Sequence, residues 1–309
     1  MMTRECVASL SHEEWLNLRK TGIGGSDAGA ICGVSLYTSA MSVYQDKISD
    51  NDAEVDNEAM RQGRDLEDYV AQRFMEATGL KVRRSNYMYR SVEYPWMIAD
   101  VDRLIVGEDA GLECKTASAY SSDKWKDGEI PPYYLIQCYH YMAVTGKRSW
   151  YIAVAILGKE FKYAKIEWDD ELIQNLIKIE TDFWNNHIVP RVMPDPDGSK
   201  NCDEVLERYF HISRKGSEIP LIGFDEPLRR REELRELIDK LEAEKRQIDQ
   251  QLKLYMQDNE IAANDRYRVT WIPVSTSRLD TKRLKEKEPA IYQEYLKTSS
   301  SRRFTVSVA

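Results

Sequence analysis

The sequence predicts an α/β fold that is followed by a C-terminal region of helix and short strands. Strand and helix patterns alternate between residues 57 and 188, three prolines fall within residues 190–198, and a strongly charged helical stretch follows Pro227. The 309 residues are enough to bury a full core. We therefore predict a core domain over residues 1–200 and an accessory region over residues 201–309.

The N-terminal part is predicted to be helical, with a glycine-rich interruption. Ser11 is a suitable N-cap for a helix that runs to about Arg19. The segment 21–28 contains three glycines and leads into a short helix from Ala28 to about Cys32. A long helical pattern then extends from Asn57 to Gly79, which is placed as a C-cap.

Strands and further helices follow in alternation. Residues 96–106 alternate as a strand, placing Asp100 and Asp102 on one side, and a turn at residues 107–111 returns the chain into a strand over 112–116. The remaining predicted elements are a helix over 133–144, a hairpin of strands 149–157 and 160–168, and a helix from 170 to about 188.

The accessory region centres on a charged amphipathic helix at about residues 227–258. Leu234, Leu241, Ile248 and Tyr255 recur at intervals of seven, while Lys245 interrupts the second apolar line. We favour a helix packed on its own domain over a helical hairpin or an intersubunit contact. Strand-like stretches at 266–274 and 303–308 flank a short helix between 281 and 297.

Composition excludes several classes of protein. No apolar run approaches the ~20 residues of a membrane helix, and the N-terminus lacks the order of a secretory signal, so we expect a cytoplasmic protein. The five cysteines are scattered and only four histidines occur, which argues against disulfide frameworks, zinc sites and iron–sulfur clusters. The net charge of −8 argues against a nonspecific DNA-coating protein, although metal ions can supply local positive charge.

The predicted hairpin carries the strongest chemical signal. Glu113 and Lys115 share one face of a strand, with the Cys114 carbonyl between them, and Asp102 lies on the strand before the turn. Two carboxylates and a carbonyl suit Mg²⁺, which retains several waters. Lys115 could orient the hydrolytic water and stabilise the phosphate. Asp100 lies on the same face as Asp102 and is a second candidate ligand.

Three polar residues on predicted helices extend this site. Glu67 lies close to an apolar stripe, where a nearby metal would offset the cost of burying its carboxylate, although a slightly rotated helix would expose it. Gln137 and Tyr141 are four residues apart and share a helix face, from which they can hydrogen-bond to phosphate or to a water of the metal.

A candidate phosphate site precedes the hairpin in sequence. Arg19 is followed by a glycine-rich segment that includes Ser26, and a guanidinium, a hydroxyl and backbone amides together can bind a terminal phosphate. The segment lacks the Lys-Ser/Thr ending of a Walker loop, and no strand precedes it as a dinucleotide fold requires.

Taken together and in order, these motifs resemble the YqaJ-like viral recombinase family, the lambda-exonuclease-type branch of the PD-(D/E)xK nucleases. The resemblance covers roughly residues 15–194 and rests on R..GIGGSDA, GRDLE around Glu67, Asp102, the ECK triplet and QCYHY. It implies a restriction-endonuclease-like core with a central mixed sheet flanked by helices. It also assigns Asp102 and Glu113 as metal ligands, Lys115 as the catalytic lysine, and Arg19 and Ser26 as 5'-phosphate contacts.

The resemblance implies a magnesium-dependent, two-metal exonuclease that digests linear double-stranded DNA from 5' to 3'. Mn²⁺ is expected to substitute for Mg²⁺. The 3' overhangs would pass to a phage single-strand annealing protein for recombination in a bacterial host cell, and a homotrimeric ring would enclose the DNA. The alternatives are a structure-specific or restriction-type endonuclease of the same fold and a noncatalytic DNA-recombination scaffold.

Overall fold

Two sheets organise the N-terminal part of the chain in the computed structural model, which describes residues 1–49, 57–298 and 301–307, apart from the Asp127 side chain. A five-stranded mixed sheet has the order β2-β5-β6-β7-β8, and a three-stranded antiparallel sheet has the order β1-β3-β4. The strands are β1 (Met2–Cys6), β2 (Val82–Arg84), β3 (Tyr87–Ser91), β4 (Ile98–Asp100), β5 (Arg103–Ile105), β6 (Ala110–Ala117), β7 (Ser149–Ile156) and β8 (Glu160–Glu167).

Seven helices belong to the same described unit, Met1–Phe210. They are α1 (His12–Lys20), α2 (Gly25–Ile31), α3 (Ala40–Ile48), α4 (Glu58–Thr78), α5 (Pro132–Thr145), α6 (Asp170–Phe183) and α7 (Lys200–Tyr209). A 3-10 segment, Ala119–Gly128, precedes α5, and a π-helical turn, Trp184–Ile188, extends α6. Gly79 and Gly146 end α4 and α5 in the left-handed conformation that glycine adopts without strain.

The core lies on both faces of β7, which is buried along its whole length. Trp150, Ile152 and Val154 pack in the cluster that contains residues of α5 and α6, while Tyr151 and Ala153 pack with Phe74 of α4 on the opposite face. This alternation follows from the two-residue period of a strand. The crossover through α5 makes β6 and β7 parallel neighbours, so α5 covers the face towards which Glu113 points.

The predicted strand over residues 96–106 is interrupted. β4 pairs with β3 in the small sheet, β5 pairs with β2 and β6 in the large sheet, and Val101–Asp102 lies between them outside either strand. The simple alternation therefore fails, because Met97, Ile98 and Ala99 are all buried. The chain changes sheets at Asp102, which places this residue at the junction.

Other elements differ from the predictions in extent or presence. α2 begins at Gly25, three residues before the predicted start, and the apolar side of α4 is formed by Val70, Ala71 and Phe74. Elements of the first unit that the sequence did not indicate are β1, β2, β3, α3 and α7. The first unit ends at Phe210, ten residues after the predicted boundary, because α7 buries Cys202 and Val205 against Met41 of α3.

The second unit, His211–Ala309, contains α8 (Asp225–Met256), the antiparallel pair β9 (Ile261–Ala263) and β10 (Arg268–Thr270), α9 (Thr281–Lys287) and α10 (Pro289–Glu294). Residues 303–307 form no strand, contrary to prediction. The apolar line of α8 is exposed, with Leu241 at 64% and Tyr255 at 80%, so the favoured packing of this helix on its own domain is not observed. No helix among the described residues has both the length and the apolar character needed to cross a bilayer.

Candidate active site

A cleft of about 190 Å³ opens where the two sheets meet. The end of α1, the start of α2, the β4–β5 junction, β6 and α5 each contribute to its walls. Six of the residues predicted from the sequence line it, together with Trp15 and Asp100: Arg19, Ser26, Asp102, Glu113, Gln137 and Tyr141. Residues that are far apart in sequence are thus brought to one place by the crossover and by the junction between sheets.

The carboxylates of Asp102 and Glu113 form the floor of this cleft. Asp102 Oδ2 accepts a hydrogen bond of 2.8 Å from the Cys114 amide. Glu113 is 2% exposed, and its Oε2 has no hydrogen-bond partner among the described residues. Burial, followed by the charge of Glu113, raises the pKa of Asp102 well above its usual range, and burial also raises the pKa of Glu113. A neighbouring cation therefore favours the charged form of both carboxylates.

Lys115 lies beside these carboxylates on the same face of β6. Its Nζ is 2.5 Å from Glu113 Oε1 and 4.6 Å from the centre of the Tyr134 ring. Burial disfavours the ammonium, but Glu113, Tyr134 and Asp102 together outweigh burial and raise the pKa of Lys115. The side chain is thus held as a cation beside the two carboxylates.

Gln137 and Tyr141 form the α5 wall of the cleft. Gln137 Nε2 donates one hydrogen bond to Glu113 Oε1 and one to the Tyr141 hydroxyl, each with a length of 2.8 Å. A side chain at Gly25 would lie 2.6 Å from the Tyr141 ring, so only glycine lets the start of α2 approach α5 this closely. The predicted pair on one helix face is therefore positioned by Glu113 on one side and by the glycine loop on the other.

The residues fit a magnesium ion that retains most of its water. Among the residues described, no three His, Cys, Asp or Glu side chains are grouped closely enough to hold a metal on their own. Magnesium requires only one or two carboxylates, which Asp102 and Glu113 provide. Burial raises the pKa of the Cys114 thiol, which packs beside the Val70 and Phe74 cluster, so only its carbonyl oxygen suits the ion.

Glu67 stands at the edge of this group with a different partner. It is half-buried on α4 and accepts a hydrogen bond from the guanidinium of Arg103, whose other nitrogen lies 2.5 Å from Asp68. Its charge contributes to raising the pKa values of Asp102 and Glu113, after burial. Arg103 is buried and was not indicated by the sequence, because its place on a three-residue strand carries no periodic signal.

Arg19 and Ser26 lie on the opposite wall of the cleft. Arg19 Nη2 is 3.3 Å from Ser26 Oγ, and its guanidinium lies over the Trp15 ring at 4.9 Å. Trp15 Nε1 donates to Asp100 Oδ2 over 2.8 Å. Asp100 is therefore bound by the α1 wall, whereas Asp102 faces Glu113.

Comparison with known proteins identifies the family. Over 303 residues the chain is 38% identical to the uncharacterized protein YqaJ of Bacillus subtilis (strain 168), a match that covers 97% of this chain and 95% of that protein. Residues 14–148 match the YqaJ-like viral recombinase domain. The chain belongs to this family. The YqaJ-like segment spans every residue of the cleft from Trp15 to Tyr141.

Solved structures show the same fold as the YqaJ-like core. LHK-Exo in complex with dAMP aligns with a TM-score of 0.51 at 21% identity, covering 58% of this chain and 94% of that chain. The alkaline exonuclease LHK-Exo from Laribacter hongkongensis aligns with a TM-score of 0.50 at 19% identity over the same fractions. The predicted fold class, an α/β core with a central mixed sheet flanked by helices, is confirmed.

Proposed function

We propose that this protein is a magnesium-dependent 5'-to-3' exonuclease that acts on linear double-stranded DNA and leaves 3' single-stranded overhangs. The observation that carries the proposal is the position of two kinds of group in one cleft. The carboxylate pair of the cleft lining, with Lys115 beside it, suits a scissile phosphate, and Arg19 with Ser26 of the same lining suits a terminal phosphate. An enzyme that removes nucleotides from a DNA end requires both kinds of group within reach of the same end.

The predicted site residues have distinct tasks in this proposal, although Glu67, Cys114 and Lys115 are not part of the cleft lining. Asp102, Glu113 and the Cys114 carbonyl would hold magnesium, which supplies charge neutralisation at the phosphate and acidifies the water nucleophile. Lys115 stabilises the charge that develops on the phosphate. Gln137 fixes the orientation of Glu113 and Tyr141 through its two hydrogen bonds. Glu67 would serve a second ion only after releasing Arg103.

The family and the fold support the wider biological setting. A viral recombinase domain and the fold of an alkaline exonuclease suit an enzyme that prepares DNA ends for a phage single-strand annealing protein. We further propose a homotrimeric ring around the DNA, a cytoplasmic location in the bacterial host, and Mn²⁺ as an alternative ion. A ring would explain how a chain with a net charge of −8 remains on DNA.

The test uses three substrates of one sequence: a linear duplex with 5' phosphates, the same duplex with 5' hydroxyls, and a covalently closed circle. Each is incubated with magnesium or with a chelator, and the released products are identified from labels on either end. We expect release of 5' nucleotides from linear DNA only, requiring magnesium and faster with 5' phosphates. Cleavage of the closed circle would favour an endonuclease, and no release at all would favour a noncatalytic scaffold.

A further inference from the structure

Lys47 of α3 lies behind the Arg19 wall of the cleft and is not among the residues that line it. Its side chain is completely buried, and its ammonium makes contacts with two separate segments. Nζ is 2.7 Å from Asp27 Oδ2 on α2 and donates a hydrogen bond of 3.1 Å to the backbone carbonyl of Arg19. Asp46 Oδ2 of the same helix is 3.5 Å from Nζ but is largely exposed, so the nearer and more buried Asp27 is the main counter-ion of Lys47.

Asp27 is placed between two cations and is shared unequally. Its Oδ2 accepts a hydrogen bond from the Lys47 ammonium and a second one, 2.8 Å long, from the Gly24 amide. Its Oδ1 is 3.9 Å from Arg19 Nη2. Burial favours the protonated acid, but Lys47 and then Arg19 outweigh burial and lower the pKa of Asp27. The carboxylate is thus charged and is bonded mainly to Lys47 rather than to Arg19.

This arrangement decides what Arg19 can bind. A guanidinium prefers a bidentate pair with a carboxylate, and such a pair would occupy the donors that a phosphate needs. We propose that Lys47 is a positioning residue that neutralises Asp27 and thereby keeps the guanidinium of Arg19 available to the terminal phosphate of DNA. The inference rests on the proposed end-dependent exonuclease and adds to it the means by which the phosphate site is kept open.

Four variants and the wild-type protein test this role. Lys47→Met keeps the length of the side chain and removes its charge, and Asp27→Asn/Lys47→Met removes both charges. Lys20→Met is the matched control, because Lys20 also donates to a backbone carbonyl, that of Ser49, from the helix that carries Arg19. Arg19→Ala defines the value expected when the phosphate contact is lost. The readout is the ratio of kcat/KM on duplexes with 5' phosphate to kcat/KM on duplexes with 5' hydroxyl.

We expect Lys47→Met to lower this ratio by about tenfold, mainly through KM for the phosphorylated duplex, because Asp27 then recruits Arg19. The double variant should recover the wild-type ratio to within about threefold, since residue 27 no longer carries the charge that would hold the guanidinium. Lys20→Met should leave the ratio unchanged. A merely structural role for Lys47 predicts equal losses on both substrates and no recovery in the double variant.

The outcomes separate this inference from the proposed function. If the wild-type protein prefers 5' phosphates and Lys47→Met leaves the ratio of kcat/KM values unchanged, only the proposed role of Lys47 is overturned. Magnesium-dependent cleavage without any preference for phosphate overturns both the Arg19 site and the inference, and absence of cleavage overturns the proposed function. If Lys47→Met does not fold, the double variant decides: a retained ratio supports the counter-ion role, and a ratio as low as that of Arg19→Ala contradicts it.

Discussion

Lys115 is the residue on which the proposed chemistry depends most directly, because its ammonium is held 2.5 Å from Glu113 at the cleft floor. We expect Lys115→Ala to lower kcat by at least about a hundredfold in magnesium while the fold is retained. Nucleotide release and circular dichroism measure the two effects. The control is Lys124→Ala, which removes a lysine that bonds the Tyr37 hydroxyl outside the cleft. Activity of Lys115→Ala within tenfold of wild type would refute this site.

The two neighbouring aspartates give a second prediction at the residue scale. Asp102→Asn should abolish cleavage, because it removes a carboxylate that faces Glu113. Asp100→Asn should be much less damaging, since this carboxylate is bonded to the Trp15 indole. The measurement is the dependence of the cleavage rate on magnesium concentration for each variant. Equal losses would mean that both aspartates serve the metal, and the reverse order would overturn the assignment.

At the residue scale, motif spacing predicted which residues line the cleft, but it did not predict the contacts that these residues make. Asp102, Glu113, Gln137 and Tyr141 were predicted together and do line one cleft. Lys47 and Arg103 were missed for a physical reason: each is a buried cation whose role is defined by carboxylates on other elements, and the sequence does not reveal those partners. The bond between Glu67 and Arg103 was unforeseen for the same reason.

At the scale of elements, predictions succeeded where periodicity and end signals were strong. α4, α5 and the β7–β8 hairpin have the predicted extents to within two residues, because their apolar patterns and terminal glycines are clear. The stretch 96–106 was predicted as one strand because its residues alternate, but both its faces are buried and its halves pair in different sheets. Pairing with distant strands is not encoded in local alternation.

A buried pair joins three of these elements and should make stability depend on pH. His140 of α5 bonds Glu180 of α6 through Nδ1 at 2.8 Å and the Ile98 carbonyl of β4 through Nε2 at 2.9 Å. Burial lowers the pKa of His140, but Glu180, with a smaller contribution from Asp27, raises it overall; burial also raises the pKa of Glu180. Both shifts mean that the folded state binds protons more tightly than the unfolded state.

The stabilisation by His140 is therefore complete below the ordinary histidine pKa of 6.5 and is lost as the pH rises through the higher pKa of the folded state. We expect the wild-type Tm to fall between about pH 6 and pH 9, with a smaller fall for His140→Gln/Glu180→Gln, which removes both titrating groups. Thermal unfolding across this range checks the prediction. An identical pH dependence in the two proteins would show that other groups control it.

At the scale of the whole molecule, the division after Phe210 predicts where the chain can be cut. A protein of residues 1–210 should remain soluble and retain magnesium-dependent cleavage, because every residue of the cleft lies within it. Its association with the annealing protein or with DNA should weaken, since the exposed apolar line of α8 is removed. Solubility, cleavage rate and pull-down of the annealing protein are the measurements.

The matched control for this truncation ends at residue 199. It removes α7, whose Cys202 and Val205 are buried against Met41, and should lower the Tm relative to the protein of residues 1–210. If the longer truncated protein is insoluble or inactive, the second unit is needed by the nuclease core. Equal stability of the two truncated proteins would instead place the boundary before α7.

Oε2 of Glu113, which has no hydrogen-bond partner in the described part of the chain, has a thermodynamic consequence for the folded protein. A buried carboxylate whose charge is not fully compensated lowers the free energy of unfolding. The carboxylates of the active site should therefore make the ion-free protein less stable. Glu113 is also the ion-pair partner of Lys115, so the variant that removes both charges, Glu113→Gln/Lys115→Met, should raise the Tm in a chelator while abolishing cleavage, and added magnesium should stabilise the wild-type protein but not this variant. Calorimetry with and without magnesium measures both effects. A Tm that falls on substitution would mean that Glu113 is retained for the fold, and the expected trade-off between stability and activity would be absent.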